Sequence, residues 1–423
     1  SSLSSNRINS FAYNGYWYFA LPGNNTITFN PRYAYTNTQQ NSRYEENGAE
    51  AIVNGAKDNS HQAVGDIAFV HSFGKVGTLK VMCQGRFLLN KTRYSGSSSV
   101  SDKAQTLRFG PGVNYSYTGE KLHSTLSIGL NWDRSEYGTT VENTTAPWAD
   151  LAVQCSINKK NSFSVKVGYW KSIPSSGYRS AAVIQSNPLM SYTGNPSLVP
   201  YKSFDADGNY TFIINKAFKM AAYGNVWVVD NRYVYDYEAN ATGVLRTIKQ
   251  PLGGFAQWQY GVQGTGKFFK DNLQVSLSGY MFQGHNGAPY NWNKGRMVVS
   301  ASAFYYLKDF YFGATYRSPM VYPDGCMIGM WMDTRSNYTL QVGWSNDRWN
   351  FRFYTRNPFY GNTYAAKSTT QSRYYDSIGR IYTGSYIRFF QISATYTFGY
   401  GKKVKAGNEA YKADGASSGI LNK

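Results

Sequence analysis

The chain has 423 residues, a formal net charge of +19, 42% hydrophobic and 16% charged residues, and a mean hydropathy of −0.47. Its 38 Tyr, 24 Phe and 10 Trp argue against disorder, because disordered chains are poor in aromatic residues. A bundle of transmembrane helices is excluded, since no stretch approaches the roughly 18 to 20 consecutive apolar residues that span a bilayer.

The chain opens Ser1-Ser2-Leu3, without Met or a signal peptide, and reads as an interior or processed piece. Residues 11–20 form a first strand carrying Tyr13, Tyr16, Trp17 and Tyr18, which runs into a turn at Pro22-Gly23-Asn24. Period-2 alternation, the mark of a strand with two unlike faces, runs through 79–89. Next, Leu126, Ile128, Leu130 and Trp132 alternate with Ser127, Gly129, Asn131 and Asp133. Phe163, Val165, Val167 and Tyr169 then oppose Ser162, Ser164, Lys166 and Gly168. The pattern continues at 204–212, 218–228, 273–277, 297–305, 310–316, 340–344 and 348–353, and finishes on Phe390, Ile392, Ala394, Tyr396 and Phe398. No helical stripe of useful length occurs, so the fold class is all-β.

Short turns fall near 22–24, 74–75, 119–121, 159–161, 215–216, 270–272, 308–309 and 346–347, rich in Gly, Asn and Asp, which tolerate positive φ. Longer polar connections separate them at 41–62, 92–103, 135–147, 173–202, 231–252, 283–294, 318–334 and 357–386. Short and long alternate strictly, so the two ends of the sheet face different environments. Eight short turns give sixteen flanking strands, and the last strand makes seventeen. Many are about ten residues long, the length of a tilted membrane strand. In hydrocarbon every backbone polar group needs an internal partner, so such a sheet must close. The expectation is therefore a transmembrane antiparallel β-barrel over 1–400 and a basic polar tail over 401–423. Lipid-facing residues on alternate positions explain a negative hydropathy, and Tyr169, Trp170, Trp344 and Trp349 suit interfacial girdles.

Few motifs suggest chemistry. Gly261-Val262-Gln263-Gly264-Thr265-Gly266-Lys267 matches the phosphate-cradling G-x-x-x-x-G-K pattern, but Phe268 stands where Ser or Thr would hold Mg²⁺, and a hairpin follows. Glycines on a barrel strand more often ease curvature or aromatic packing. Cys83, Cys155 and Cys326 form no metal or disulfide pattern, and the four His are far apart. No catalytic motif, metal site or cofactor site is expected, and Asp205 and Asp207 read as two carboxylates on a polar lumenal face. Lys80, Arg86, Arg108, Lys166, Lys219, Arg348 and Arg352 fall on polar, lumenal faces in this reading. They suit an anionic ligand or acidic plug residues, while basic groups at the outer rim suit lipopolysaccharide phosphates. Their scatter argues against a nucleic-acid stripe. Tyr290, Trp292 and Trp331, in extracellular loops on this reading, are the candidate ligand-binding rings, able to stack on a sugar or flat chelate; loop packing or an interfacial belt is the plainer role. Tyr233, Tyr235 and Tyr237 alternate as an extension of the sheet above the membrane.

Gly194-Asn195-Pro196-Ser197-Leu198-Val199-Pro200, followed by an alternating strand, resembles the barrel of TonB-dependent outer-membrane receptors, in particular the outer-membrane β-barrel family of Gram-negative anaerobes. Tyr201 departs from the acidic residue usual there. Asn357-Pro358-Phe359, the terminal Tyr396-Thr397-Phe398-Gly399 and the following Lys402, Lys403 and Lys405 also fit. The resemblance implies a barrel of about 22 strands, of which five, with a plug and a periplasmic domain, are not recognisable here. It implies nutrient uptake energised through TonB, an unidentified nutrient ligand, outer-membrane lipid and lipopolysaccharide as surroundings, and no covalent chemistry. The alternatives are a non-transporting outer-membrane barrel serving as adhesin or assembly partner, and a soluble basic β protein that binds polyanions.

Overall fold

The computed structural model describes residues 2–46, 51–241, 243–251, 253–322, 326, 329–360, 364–382 and 388–398. The basic residues at 402–405, with the rest of the tail, lie outside the described residues. Strand β1 (Ser2–Asn14) and β2 (Trp17–Leu21) are two parts of one interrupted strand, since both pair with β3 (Asn25–Tyr44), at opposite ends of it. Antiparallel neighbours β4 (Ile52–Ser72), β5 (Thr78–Ser95), β6 (Ser101–Thr118), β7 (Leu122–Tyr137), β8 (Thr140–Asn158) and β9 (Asn161–Ser172) follow in order. Two short strands, β10 (Ile184–Asn187) and β11 (Met190–Tyr192), leave the wall before β12 (Tyr201–Ile213) returns to pair with β9, and β13 (Phe218–Asp230) with β12.

The hairpin β14 (Val234–Asn240) and β15 (Gly243–Lys249) again stands off the wall. β16 (Phe255–Phe268), β17 (Leu273–Asn286), β18 (Trp292–Leu307) and β19 (Phe310–Arg317) resume the wall. Off it lie β20 (Val321–Tyr322) and β21 (Met330–Thr334); in it lie β22 (Asn337–Ser345) and β23 (Trp349–Arg356). A last excursion, β24 (Ala366–Gln371) and β25 (Asp376–Ile381), precedes β26 (Phe389–Tyr396), which pairs with β23.

The wall is one antiparallel meander of eighteen segments, or seventeen strands with β1 and β2 taken as one. That is the number the turns imply, and all eight short turns sit where the sequence places them. Asn24 (φ 59°), Lys270 (φ 55°) and Lys308 (φ 52°) take positive φ there. Among the described residues no ladder joins β1 to β26, and residues 2–13 of β1 are exposed on both faces. No described helix is long and apolar enough to cross a membrane; crossing is left to strands.

The long-loop end departs from expectation. The spans 41–62, 92–103 and 135–147 are mostly strand: β3 and β4 run to Tyr44 and from Ile52, and β7 and β8 turn through Gly138 at φ 57°. The ladder outlasts the hydrophobic alternation because, beyond the hydrocarbon, neither face must be apolar, while Thr, Tyr and paired Asn and Gln still favour extended backbone.

The two faces are chemically opposite. Outward, Phe69, Val81 and Val113 stand side by side on β4, β5 and β6, and Ile67, Phe109 and Leu107 are exposed above them. Inward, the same strands bury polar groups. The fully buried Asp58 carboxylate accepts hydrogen bonds from Ser60 and, at 2.6 Å, from Thr92, and Asn90 donates to Ser60 at 2.6 Å.

Candidate functional site

The inner face and the excursions above it form one region, built from three parts: a charged lumen, a clasp and a two-sheet roof. In the lumen, Lys80, Arg86 and Arg108 line a cavity of about 840 Å³ with Asp66 and Asp150. Arg108 is bidentate to Asp133, at 2.6 and 3.2 Å. Arg32 pairs with Asp66, which also accepts from Gln84 at 2.6 Å. Part of the basic surplus thus meets acids supplied by the wall itself. Lys166 lies opposite Asp207, and both line a second cavity of about 680 Å³. Arg348 differs from its expected place on a strand face: it lies in the turn before β23, its amide donating to Asn346 Oδ1 at 3.0 Å.

The Gly261–Lys267 segment is continuous strand within β16, paired on both sides. Gly266 leaves room for Phe268, packed edge-on against Phe218 at 5.3 Å. A phosphate loop is absent from this segment.

The clasp is the Gly194–Pro200 motif. A side chain at Gly194 would lie 2.5 Å from the carbonyl oxygens of Tyr178 and Ser180, so only glycine fits the approach. Asn195 donates from its backbone to the Tyr178 carbonyl at 2.7 Å and from its side chain to the Ile248 carbonyl at 3.0 Å, and its Oδ1 accepts from Ser197 N. Pro196 presents its carbonyl to Arg179 Nε at 3.1 Å, and Val199 presents its own to Tyr233 at 2.9 Å. Arg179, 3% exposed, also reaches Ser135 at 3.2 Å and Glu142 at 3.9 Å. Below it, Ser176 donates to Asn90 and Ser180 to Asp102, at 3.1 and 2.6 Å. The motif therefore ties two excursions to each other and to the inner wall.

The roof has two four-stranded sheets. In one, β11 pairs with β10 and, in parallel, with β15, which pairs with β14. Its core holds Tyr94, Tyr192, Leu198 and Tyr233, and the Arg246 guanidinium lies 4.4 Å from the Tyr235 ring centre and 5.2 Å from that of Tyr192. Burial pushes the Tyr178 and Tyr192 phenols up to about 12. Tyr235 and Tyr237 are in β14, part of this separate sheet rather than an extension of the wall, because β14 has β15 as its ladder partner.

The other sheet orders β20, β21, β24 and β25. Trp331 on β21 is 7% exposed and packs with Val229, Phe255 and Phe282. Trp292 meets it edge-on at 5.6 Å, and Lys294 Nζ lies 5.5 Å from its ring centre. The Tyr290 hydroxyl donates to the Tyr235 carbonyl, and its ring covers Gly329. The structure thus brings Trp292 and Trp331 together and sets Tyr290 as a bridge between the sheets, a bridge reinforced by the Tyr237–Tyr375 stack at 4.8 Å.

Sequence reasoning missed Arg179, Arg232 and Arg246. Arg232 is fully buried and donates to the carbonyls of Gly253, Gly287 and Ala288 at 3.1, 2.8 and 3.0 Å, and burial lowers it to about 10. The available signal was an arginine beside aromatic runs in loops, but its partners are backbone oxygens, which no side-chain pattern reveals.

A family model described as the outer membrane protein beta-barrel family matches residues 147–396. The chain belongs to this family. As an outer membrane β-barrel of a Gram-negative cell it shares its fold with receptors and transporters rather than enzymes. The copper transporter OprC aligns at 10% identity with a TM-score of 0.63, covering 88% of this chain and 66% of that one. The pyoverdine outer membrane receptor FpvA of Pseudomonas aeruginosa, bound to pyoverdine, aligns at 11% and 0.63, covering 93% and 62%. The unliganded ferric citrate transporter FecA aligns at 10% and 0.60, covering 94% and 62%. At these identities the likeness concerns the fold, and the chain spans just under two thirds of each of those structures. No curated protein sequence matches it.

Proposed function

We propose that this chain is the wall and extracellular mouth of a TonB-dependent receptor that imports a nutrient. The observation that carries the reading is the family's barrel wall crowned by a hydrogen-bonded, aromatic roof over a charged lumen. Import would be energised through a plug contacting TonB, and the nutrient would be selected at the mouth. Here Trp292 and Lys294, both half-buried, would meet the ligand, with Trp331 and Tyr290 holding them in place. Among the described residues no ladder joins β1 to β26, and two unpaired sheet edges cannot stand in hydrocarbon; on this reading further strands would complete the wall. Outer-membrane lipid and lipopolysaccharide surround its outward face.

The test compares cells carrying the complete receptor, cells lacking it, and cells with an inactive TonB system. Each is supplied with iron chelates, oligosaccharides, peptides or vitamins as limiting nutrient. Loss of growth on one nutrient class in both defective strains supports the reading. Unchanged uptake throughout, with loss of adhesion or of a partner protein from the membrane, would overturn it in favour of a non-transporting barrel.

A further inference from the structure

A second site lies on the outside of the wall, where β4, β5 and β6 leave the membrane. In register, the outward side chains form rungs: Phe69, Val81 and Val113; Ile67, Cys83 and Pro111; Gly65, Gly85 and Phe109; Ala63, Phe87 and Leu107. These are apolar throughout. The next rung, His61, Leu89 and Gln105, is mixed. Immediately beyond it the character inverts. Lys91 stands directly opposite Lys103, and Lys57 directly opposite Arg93, all four exposed. The first pair lies about 7 Å and the second about 13 Å along the strands from the mixed rung, the depth at which lipid phosphates sit above a hydrocarbon layer.

Like charges facing each other across a ladder repel and destabilise it, so the arrangement calls for a counter-charge. Among the described residues none of the four makes an ion pair. The carboxylates nearest in register, Asp58 and Asp102, point to the other face of the sheet, where Thr92 and Ser180 donate to them at 2.6 Å. On the outward face the flanking acids are already engaged: Glu136 with Arg134 at 2.8 Å and Glu45 with Arg43 at 2.6 Å. The wall elsewhere does place acid against base, as with Lys202 opposite Asp230.

We propose that Lys57, Lys91, Arg93 and Lys103 bind the phosphate groups of an anionic glycolipid of the outer leaflet, whose acyl chains lie along the apolar rungs below. Two facing pairs of cations supply four charges to a multiply phosphorylated headgroup, and the rungs supply the apolar surface beneath it. The site depends on the outer-membrane location alone and stands whatever the receptor imports.

The test uses the protein extracted from outer membranes in mild detergent, as wild type and as the K57Q/K91Q/R93Q/K103Q variant. Native mass spectrometry and thermal unfolding are followed with added lipid A, dephosphorylated lipid A or inorganic phosphate. Wild type should retain and be stabilised by lipid A alone among the three, the quadruple variant should bind it at least about ten-fold more weakly, and the K57R/K91R/K103R variant should bind normally. Should the quadruple variant fail to assemble, K57Q/R93Q and K91Q/K103Q carry the same comparison, each removing one facing pair. Equal lipid A binding by wild type and glutamine variants would overturn the proposal. So would an equal response to dephosphorylated lipid A, which would assign binding to the rungs, or to inorganic phosphate, which would make it a small-anion site.

Discussion

The Arg232 guanidinium donates to the carbonyl oxygen of Gly287 at 2.8 Å, across 55 residues of sequence. The same group holds the carbonyls of Gly253 and Ala288, so one buried cation ties both ends of the β14–β15 excursion to the turn between β17 and β18. Replacing it leaves three carbonyls without their charged donor, each hydrogen bond of that kind contributing about 1.5–3 kcal/mol. Arg232→Ala should therefore open the roof by roughly 3 kcal/mol or more. Hydrogen exchange would show lost protection at 231–241, 243–251 and 287–291 with the wall strands unchanged; retained protection there would count against this role of Arg232.

Gly194→Ala should loosen the roof more than its size suggests. The added carbon would lie 2.5 Å from two backbone oxygens, and backbone cannot yield as a flexible side chain does. Gly264→Ala, where no atom lies within 4 Å, is the matched control on the wall. Limited proteolysis in detergent should cut the first variant in 173–202 and spare the second. Equal resistance would mean the clasp tolerates a side chain.

Burial of Trp331 predicts a loss of about 3–5 kcal/mol in roof stability for Trp331→Ala. Trp292→Ala, at a half-buried position, should cost less. If the aromatic cluster also supports ligand contact, both variants should weaken nutrient binding, and Trp292→Ala should do so with the smaller loss of thermal stability. A Trp292→Ala protein with normal uptake would remove that residue from the binding surface.

The roof should loosen in alkali. Burial disfavours the phenolate and pushes the Tyr178 and Tyr192 phenols up to about 12 in the folded roof, from 10 when solvated. Between those values the opened roof holds fewer protons than the folded one, so stability falls as pH rises. Arg232, lowered to about 10 by burial, acts in the opposite sense over a similar range, but one arginine opposes several tyrosines, Tyr233 and Tyr290 also being raised. Phenolate absorbance and protease sensitivity should rise together from about pH 10. A roof that stays protease-resistant to pH 12 would contradict this account.

The wall was legible in the sequence because a lipid-facing strand must alternate, and alternation is local. Phe163 to Tyr169 and Phe390 to Phe398 announce their strands without reference to any partner, and the tight turns mark the ends. The roof was not legible. Trp331 and Tyr290 look alike in a loop sequence, yet one lies in a core and the other spans two sheets, because both positions are set by contacts from distant segments. The upper parts of β3, β4, β7 and β8 resemble loops in sequence for a related reason: once water replaces lipid, nothing obliges one face to be apolar. The Gly194–Pro200 motif carries a family likeness in sequence, but its role as a clasp rests on close approach to Tyr178 and Ser180, which no linear pattern encodes.

The tethers between roof and wall also set an order of assembly. Ser176 reaches Asn90 across 86 residues, Ser180 reaches Asp102 across 78, and Asn54 holds the Gln185 carbonyl across 131. Contacts of such separation form late, since the intervening chain must first be ordered. Each anchor moreover lies on an inward position of β4, β5 or β6, which exists as a surface only after those strands have found their register; a slip of one residue would turn Asn54, Asn90 and Asp102 outward. A closed roof is thus a record of correct strand insertion, and its resistance to external protease on intact cells would time the completion of the wall beneath it.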